Sequence, residues 1–152
     1  MEQTYRIALA EFDEARAAYL EELAELSPEQ AERRGEPEVT PARAAELQRE
    51  AQGIRASAEH AGGEVVILHH KPFGAVLDET AALTTGDFSA RRAATLRNAI
   101  VSWRIGGEHG EAVTDEWVRR QRGDLMSWLL NRVEEHWESV RRTAPKAMGT
   151  ST

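Results

Sequence analysis

The stretch Glu64-Val65-Val66-Ile67-Leu68-His69-His70 decides how the chain is read. Its four consecutive apolar residues are mostly β-branched, and such side chains fit a pleated surface better than a helix. Gly62-Gly63 precedes the run and Pro72 stops it, so 64–70 reads as one strand. No other stretch is as convincing, although Ala112-Val113 offers a short partner. A lone strand exposes a row of backbone donors and acceptors. Two readings follow: a second strand lies elsewhere in the chain, or Val65, Val66, Ile67 and Leu68 pair across a subunit or partner interface. Those four are the candidate partner-binding residues, and a homo-oligomer is one form such pairing takes. The expected fold class is mainly α: an N-terminal antiparallel helical hairpin, one short strand and a C-terminal helical domain.

Upstream, residues 1–61 read as an acidic helical hairpin. Tyr5, Leu9, Phe12, Tyr19, Leu23 and Leu26 follow alternating 4- and 3-residue steps, interrupted only by Arg16, which is the seam of a coiled-coil-like helix. A second seam runs Ala44, Leu47, Ala51, Ile54, Ala58 and Ala61. Bulky knobs against alanines let two antiparallel helices approach closely. Ser27-Pro28 and Thr40-Pro41 each place a hydroxyl at the N-cap and proline at the first helical position, and Gln30 completes a capping box. Gly35 and Pro37 break the chain between them.

Downstream, residues 62–142 read as the strand plus a helical, tryptophan-rich domain, and 143–152 as a flexible tail. Phe73 to Leu83 forms an amphipathic helix, with Phe73, Val76, Leu77 and Leu83 apolar. After a turn at Thr84-Thr85-Gly86, Asp87 caps a helix presenting Phe88, Leu96, Ile100 and Trp103, which stops at Gly106-Gly107. Thr114 caps a short piece with Trp117. The last helix shows Leu125, Met126, Leu129, Leu130, Val133, Trp137 and Val140 at helical spacing. All four tryptophans fall in this half, where such a stripe is core.

Composition narrows the function. The chain has 152 residues, with 26 acidic and 19 basic side chains and a net charge of −7. Residues 1–60 carry 14 acidic and 7 basic residues (7 − 14 = −7), whereas 61–152 carry 12 of each. An acidic half disfavours a nucleic-acid partner, which needs a positive stripe. The longest apolar run, Val65 to Leu68, is far short of the roughly 20 residues that span a bilayer, and Met1-Glu2-Gln3-Thr4 does not resemble a signal peptide. No membrane partner is expected. With no cysteine, disulfides, thiolate metal sites and cysteine nucleophiles are excluded.

Candidate chemical sites do not assemble. His60, His69 and His70 could offer imidazoles to zinc, but adjacent strand residues face opposite sides and no carboxylate sits at a recognised ligand spacing. Gly106-Gly107-Glu108-His109-Gly110-Glu111 neither follows a strand nor opens into a helix as a phosphate loop does, and reads as a flexible turn. Glu134, Glu135, His136 and Glu138 miss the metalloprotease pattern of two histidines four apart. The expectation is no catalytic, cofactor-binding or metal residues, no cofactor and no enzymatic activity.

Across residues 64–140 the order of elements resembles the tail assembly chaperones of long-tailed, siphovirus-type phages of actinobacteria. The resemblance rests on Lys71-Pro72-Phe73-Gly74 with a following helix, Gly86-Asp87-Phe88, Ile100-Val101-Ser102-Trp103 before an acidic glycine-containing loop, Val113-Thr114, and Trp128-Leu129-Leu130. Arg104 departs from it, since the family often has an acidic residue soon after the tryptophan. The resemblance implies a non-enzymatic chaperone in the host cytoplasm that holds the tape-measure protein soluble while the tail tube polymerises. It also implies a programmed frameshift and hence a longer form of the protein as a second partner, with Pro145-Lys146 as the place for the slip. The rival reading is a structural head–tail or tail-tube-associated virion protein, and the third class is a small metal-dependent enzyme.

Overall fold

Val65 to Leu68 has strand neighbours on both sides, and both come from segments read above as helix. The computed structural model describes residues 3–143; Pro145-Lys146, and all of the 143–152 tail except its first residue, lie outside the described residues. In chain order the elements are β1 (Thr4–Ala8), α1 (Ala10–Ala24), α2 (Pro28–Arg33), α3 (Pro41–Ser57), β2 (Glu64–Leu68), α4 (Phe73–Thr85), α5 (Phe88–Ala99), β3 (Ile100–Ile105), β4 (Glu108–Glu111), α6 (Asp115–Arg120) and α7 (Gly123–Thr143). The strands form one antiparallel sheet in the order β1-β2-β3-β4. A mainly α chain with a single short strand is therefore incorrect: the described residues make a mixed α/β arrangement of seven helices and a four-stranded sheet.

Each missed strand has a local reason. β1 was hidden because Tyr5 and Leu9 extend the helical spacing of Phe12, yet Tyr5 lies in a strand and Leu9 only caps α1. β3 follows α5 without a turn, so Ile100 and Trp103 continue the period of Phe88 and Leu96. Gly106 and Gly107 do not terminate a helix. Their φ values of 58° and 82° are those of a two-residue hairpin turn between β3 and β4, which pairs Ile105 with Glu108. Trp103 lies directly across from Gly110, where a Cβ would come within 2.9 Å of the indole, so only glycine fits. A bulge at Val66/Ile67, opposite Val101, shifts the β2–β3 register from Val66↔Ser102 to Ile67↔Ile100.

The chain divides into two compact units: residues up to Ile7 with those from Glu64 onward, and residues 8–63. The helical unit is thus inserted in sequence between two neighbouring strands, and β1 belongs with the C-terminal half. In the first unit Ile7, Val65, Ile67 and Ile100 are buried with Leu96 and Ala99 of α5 and with Leu125, Met126, Leu129, Val133 and Trp137 of α7. The indole Nε1 of Trp137 donates to the Leu68 carbonyl at 3.0 Å, tying the last helix to the central strand.

In the second unit α1 and α3 run antiparallel and enclose Leu9, Phe12, Ala17, Ala31, Leu47 and Ala51. The capping box at Ser27 and Gln30 is complete, and Thr40 accepts from the Arg43 amide at 3.1 Å. Tyr19, assigned above to the inner seam, faces solvent. The α3 C-cap is Ala58 at φ 46°, ahead of Gly62-Gly63. The buried Asp13 carboxylate accepts from the His60 amide at 2.8 Å and meets His60 Nδ1 at 2.7 Å, closing the unit at one end. Near the C-terminal end of α3, Arg55 grips two carboxylates, donating to Glu14 at 2.6 and 2.8 Å and to Glu21 at 2.7 and 2.8 Å. Those hydrogen bonds hold both carboxyls below the ordinary glutamate range.

Two stability outcomes follow. Ile67→Lys places an ammonium in a fully buried strand position, so urea denaturation should show a loss of about 3 kcal/mol or more. A purely interfacial strand would instead tolerate the change with its folding intact. Ala58→Gly relieves a left-handed alanine and should add about 0.5–1 kcal/mol in the same measurement.

Candidate functional site

α4 is built inside out. Its sequence, Phe73-Gly-Ala-Val-Leu-Asp-Glu-Thr-Ala-Ala-Leu-Thr-Thr85, follows Pro72 at the N-cap and ends on Gly86 at φ 73°. The face turned to α5 combines small residues, with Ala75 and Ala82 buried, and the carboxylates Asp78 and Glu79. Gly74 is part of that close approach, because a Cβ there would sit 3.0 Å from Asn98 Oδ1. The large apolar residues point the other way. Phe73 is 72% exposed, Leu77 54%, Leu83 51% and Val76 41%. The sequence reading had the same residues as the apolar side of an amphipathic helix, which ordinarily packs inward.

That outer arc carries no charge. The two carboxylates of α4 are both committed elsewhere: Asp78 accepts from Asn98 Nδ2 at 2.8 Å and Arg97 Nη2 at 2.6 Å, and Glu79 from Lys71 Nζ at 2.7 Å and Thr95 Oγ1 at 3.1 Å. The Asn98 amide and the Arg97 guanidinium hold Asp78 below the usual carboxylate range, so it stays ionised and anchored. Arg97 also binds Asp115 of α6. Even the hydroxyls of the arc are turned back on the helix, Thr80 to the Val76 carbonyl at 2.8 Å and Thr84 to the Thr80 carbonyl at 3.0 Å. What faces outward is a strip of methyl, methylene and ring surface. On a chain with 30% charged residues that strip is the feature most in need of a partner.

The residues expected to bind a partner lie elsewhere. Val65 and Ile67 are fully buried, Val66 and Leu68 are half-buried, and the backbone of β2 is hydrogen-bonded between β1 and β3. The free edge that motivated their choice belongs instead to β1 and β4.

Four of the five histidines fall into two groups, and His109 lies apart on β4. His60 pairs with Asp13 in the helical unit, where Asp13, Glu59 and His60 are the one group of three potential metal ligands among the described residues. Arg16 stands 3.8 Å from Asp13 and 3.7 Å from Glu59, so the positive charge of that cluster is already supplied by the protein. His69 joins His136, with Nδ1 and Nε2 2.9 Å apart. One ring donates and the other accepts, so at least one of the two is neutral. His136 also stacks on Tyr5 at 3.8 Å, and the His70 ring meets His69 edge-on at 4.6 Å. Next to them a cleft of about 550 Å³ is lined by His70, Lys71, Glu79, Arg91, Glu134 and Glu138, among others. Two ion pairs lie within it, Lys71 with Glu79 and Arg141 with Glu138. In the helical unit, Glu21, Glu22 and Glu25 line an open acidic groove with Gln48 and Gln52.

No protein-family model matches the chain, and neither a curated protein nor a solved structure does. What the protein does has to follow from its own surface chemistry. No helix among the described residues is long and apolar enough to cross a membrane.

Burial, helped by His69, Arg132 and His70, holds the His136 imidazole below its ordinary range. The folded state therefore binds fewer protons than the unfolded chain just below pH 6.5, and stability should fall as pH drops from there through the folded pKa. His136→Gln should flatten the melting temperature between about pH 7 and 5, compared with the wild-type slope.

Proposed function

We propose that the protein is a non-enzymatic assembly chaperone of phage tails that binds the tape-measure protein in the host cytoplasm. The observation that carries this reading is the charge-free apolar strip of α4. A long helical client awaiting its tube exposes apolar stripes, and covering them needs a complementary apolar surface. It also needs charge to keep the complex dispersed, and the −7 of residues 1–60 supplies that. The segments of the family resemblance include Phe73-Gly74 at the start of the same helix.

α4 takes over the client-binding role first expected of Val65 to Leu68. Its strip spans eleven residues from Phe73 to Leu83, about 15 Å, which suits one helix face of a client laid across it. A frameshifted longer form would carry the same strip, so both products could engage one client.

Co-expression with a phage tape-measure protein, followed by affinity capture, tests the reading. Wild type should hold the client soluble, and Leu77→Glu should reduce the captured amount at least tenfold while leaving the circular dichroism unchanged. Equal capture by both would exclude α4 as the client surface. Mass spectrometry of purified virions checks the rival, since a chaperone is absent from the finished particle and a structural tail protein is present.

A further inference from the structure

We infer that the groove between α5 and α7 is a docking site for an acidic amphipathic helix of a partner protein. The inference goes beyond the proposed function, because none of the apolar residues of the α4 strip lines this groove.

Three adjoining clefts make the groove. The cleft beside His70 shares Arg91 and Glu134 with a second of about 390 Å³, which shares Arg92, Ser127 and Leu130 with a third of about 160 Å³. Together they follow α7 from Met126 to Arg141, about 22 Å of helix. Val118 and Arg119 of α6 line the far end.

Charge is the first support. Arg91, Arg92 and Arg119 line the second and third clefts, and among the described residues no side chain binds their guanidiniums. Arg97, Arg122 and Arg141 of the same unit are each held by a carboxylate. Arg91 is half-buried as well, so its charge is partly desolvated without the compensation an ion pair gives. Against these three arginines the two clefts hold one carboxylate, Glu134, on a chain of net charge −7. A cleft of that sign concentrates anions, and guanidinium forks take carboxylates through paired hydrogen bonds.

The apolar lining is the second support, and it selects the kind of anion. Buried Ala93, Leu96 and Met126 and half-buried Val118 and Leu130 line the third cleft. Phe88, 62% exposed, lines the second. An amphipathic helix lays apolar side chains on such a surface, and acidic residues flanking that stripe reach the arginines. Exposed aromatic and arginine side chains are also the types enriched where proteins bind one another. In the first cleft the pairs Lys71–Glu79 and Arg141–Glu138 cancel, so the positive stretch is short. A phosphate backbone would need a longer one and would leave the apolar lining unused.

Fluorescence anisotropy on the full chain tests the inference with a labelled peptide of about 20 residues, leucine at i, i+3, i+4 spacing and glutamate elsewhere. At 0.15 M salt, charges more than about 8 Å apart are largely screened. Wild type should bind the peptide saturably, and Arg91→Glu with Arg92→Glu should weaken binding at least tenfold. The same charge change outside the groove, Arg104→Glu with Arg120→Glu, should weaken it less than threefold, and so should Leu77→Glu on the α4 strip. No saturable binding, equal weakening by the two double variants, or a tenfold loss in Leu77→Glu overturns the inference. Tighter binding of oligothymidylate, or of the peptide with lysine in place of glutamate, also overturns it. If the Arg91→Glu, Arg92→Glu variant fails to fold, the wild type decides: the side-chain Nε resonances of Arg91, Arg92 and Arg119 shift on titration with the glutamate peptide, and unmoved resonances overturn the inference.

Discussion

The C-terminal unit depends on β2 being hydrogen-bonded along both edges. Val65 and Ile67 are buried completely, which requires every backbone amide and carbonyl beside them to find a partner inside the chain. β1 supplies one edge and β3 the other, one from before β2 in the sequence and one from after it. Once those ladders close, the face carrying Ile7, Val65, Ile67 and Ile100 is a continuous apolar plane, and α5 and α7 bury their stripes with it. Trp137 reaches the Leu68 carbonyl because α7 lies that close to the end of the strand. The His69–His136 contact and the Tyr5 stack occupy the same corner, so the imidazoles sit where strand ends and helix meet.

The same closure frees α4. The sheet's apolar face is already filled by residues of α5 and α7, and α4 packs on α5 through alanines and a glycine. Small residues let the two helices approach closely, at the expense of leaving the large ones outside. The ion pairs of Asp78 and Glu79 orient the helix so that the exposed arc is the one without charge. A protein that only needed to fold gains nothing from exposing Phe73 and Leu77; a protein that binds apolar surface does.

The helical unit is held differently. Its buried core is thin, with three alanines among its six largest contributors, and polar contacts that are long-range in sequence do much of the pinning. Asp13 satisfies both the amide and the ring of His60, and removing it would leave two buried donors or acceptors without partners. Arg55 joins α3 to two turns of α1, an exposed hub that salt and acid both weaken.

Local chemistry was legible in the sequence. The N-caps at Ser27, Thr40, Asp87 and Thr114, the α7 stripe from Leu125 to Trp137 and the strand at Glu64 each follow from residues within a few positions of one another. Strand pairing and helix orientation were not. Tyr5 and Ile100 satisfy a helical period and a strand period equally well, and only pairing with β2, some sixty residues from one and thirty from the other, selects the strand. The apolar residues of α4 could be read from the chain, but the side they face could not. That direction depends on whether the neighbouring core has room for Phe73 and Leu77, and the core is already filled by side chains of the sheet, α5 and α7.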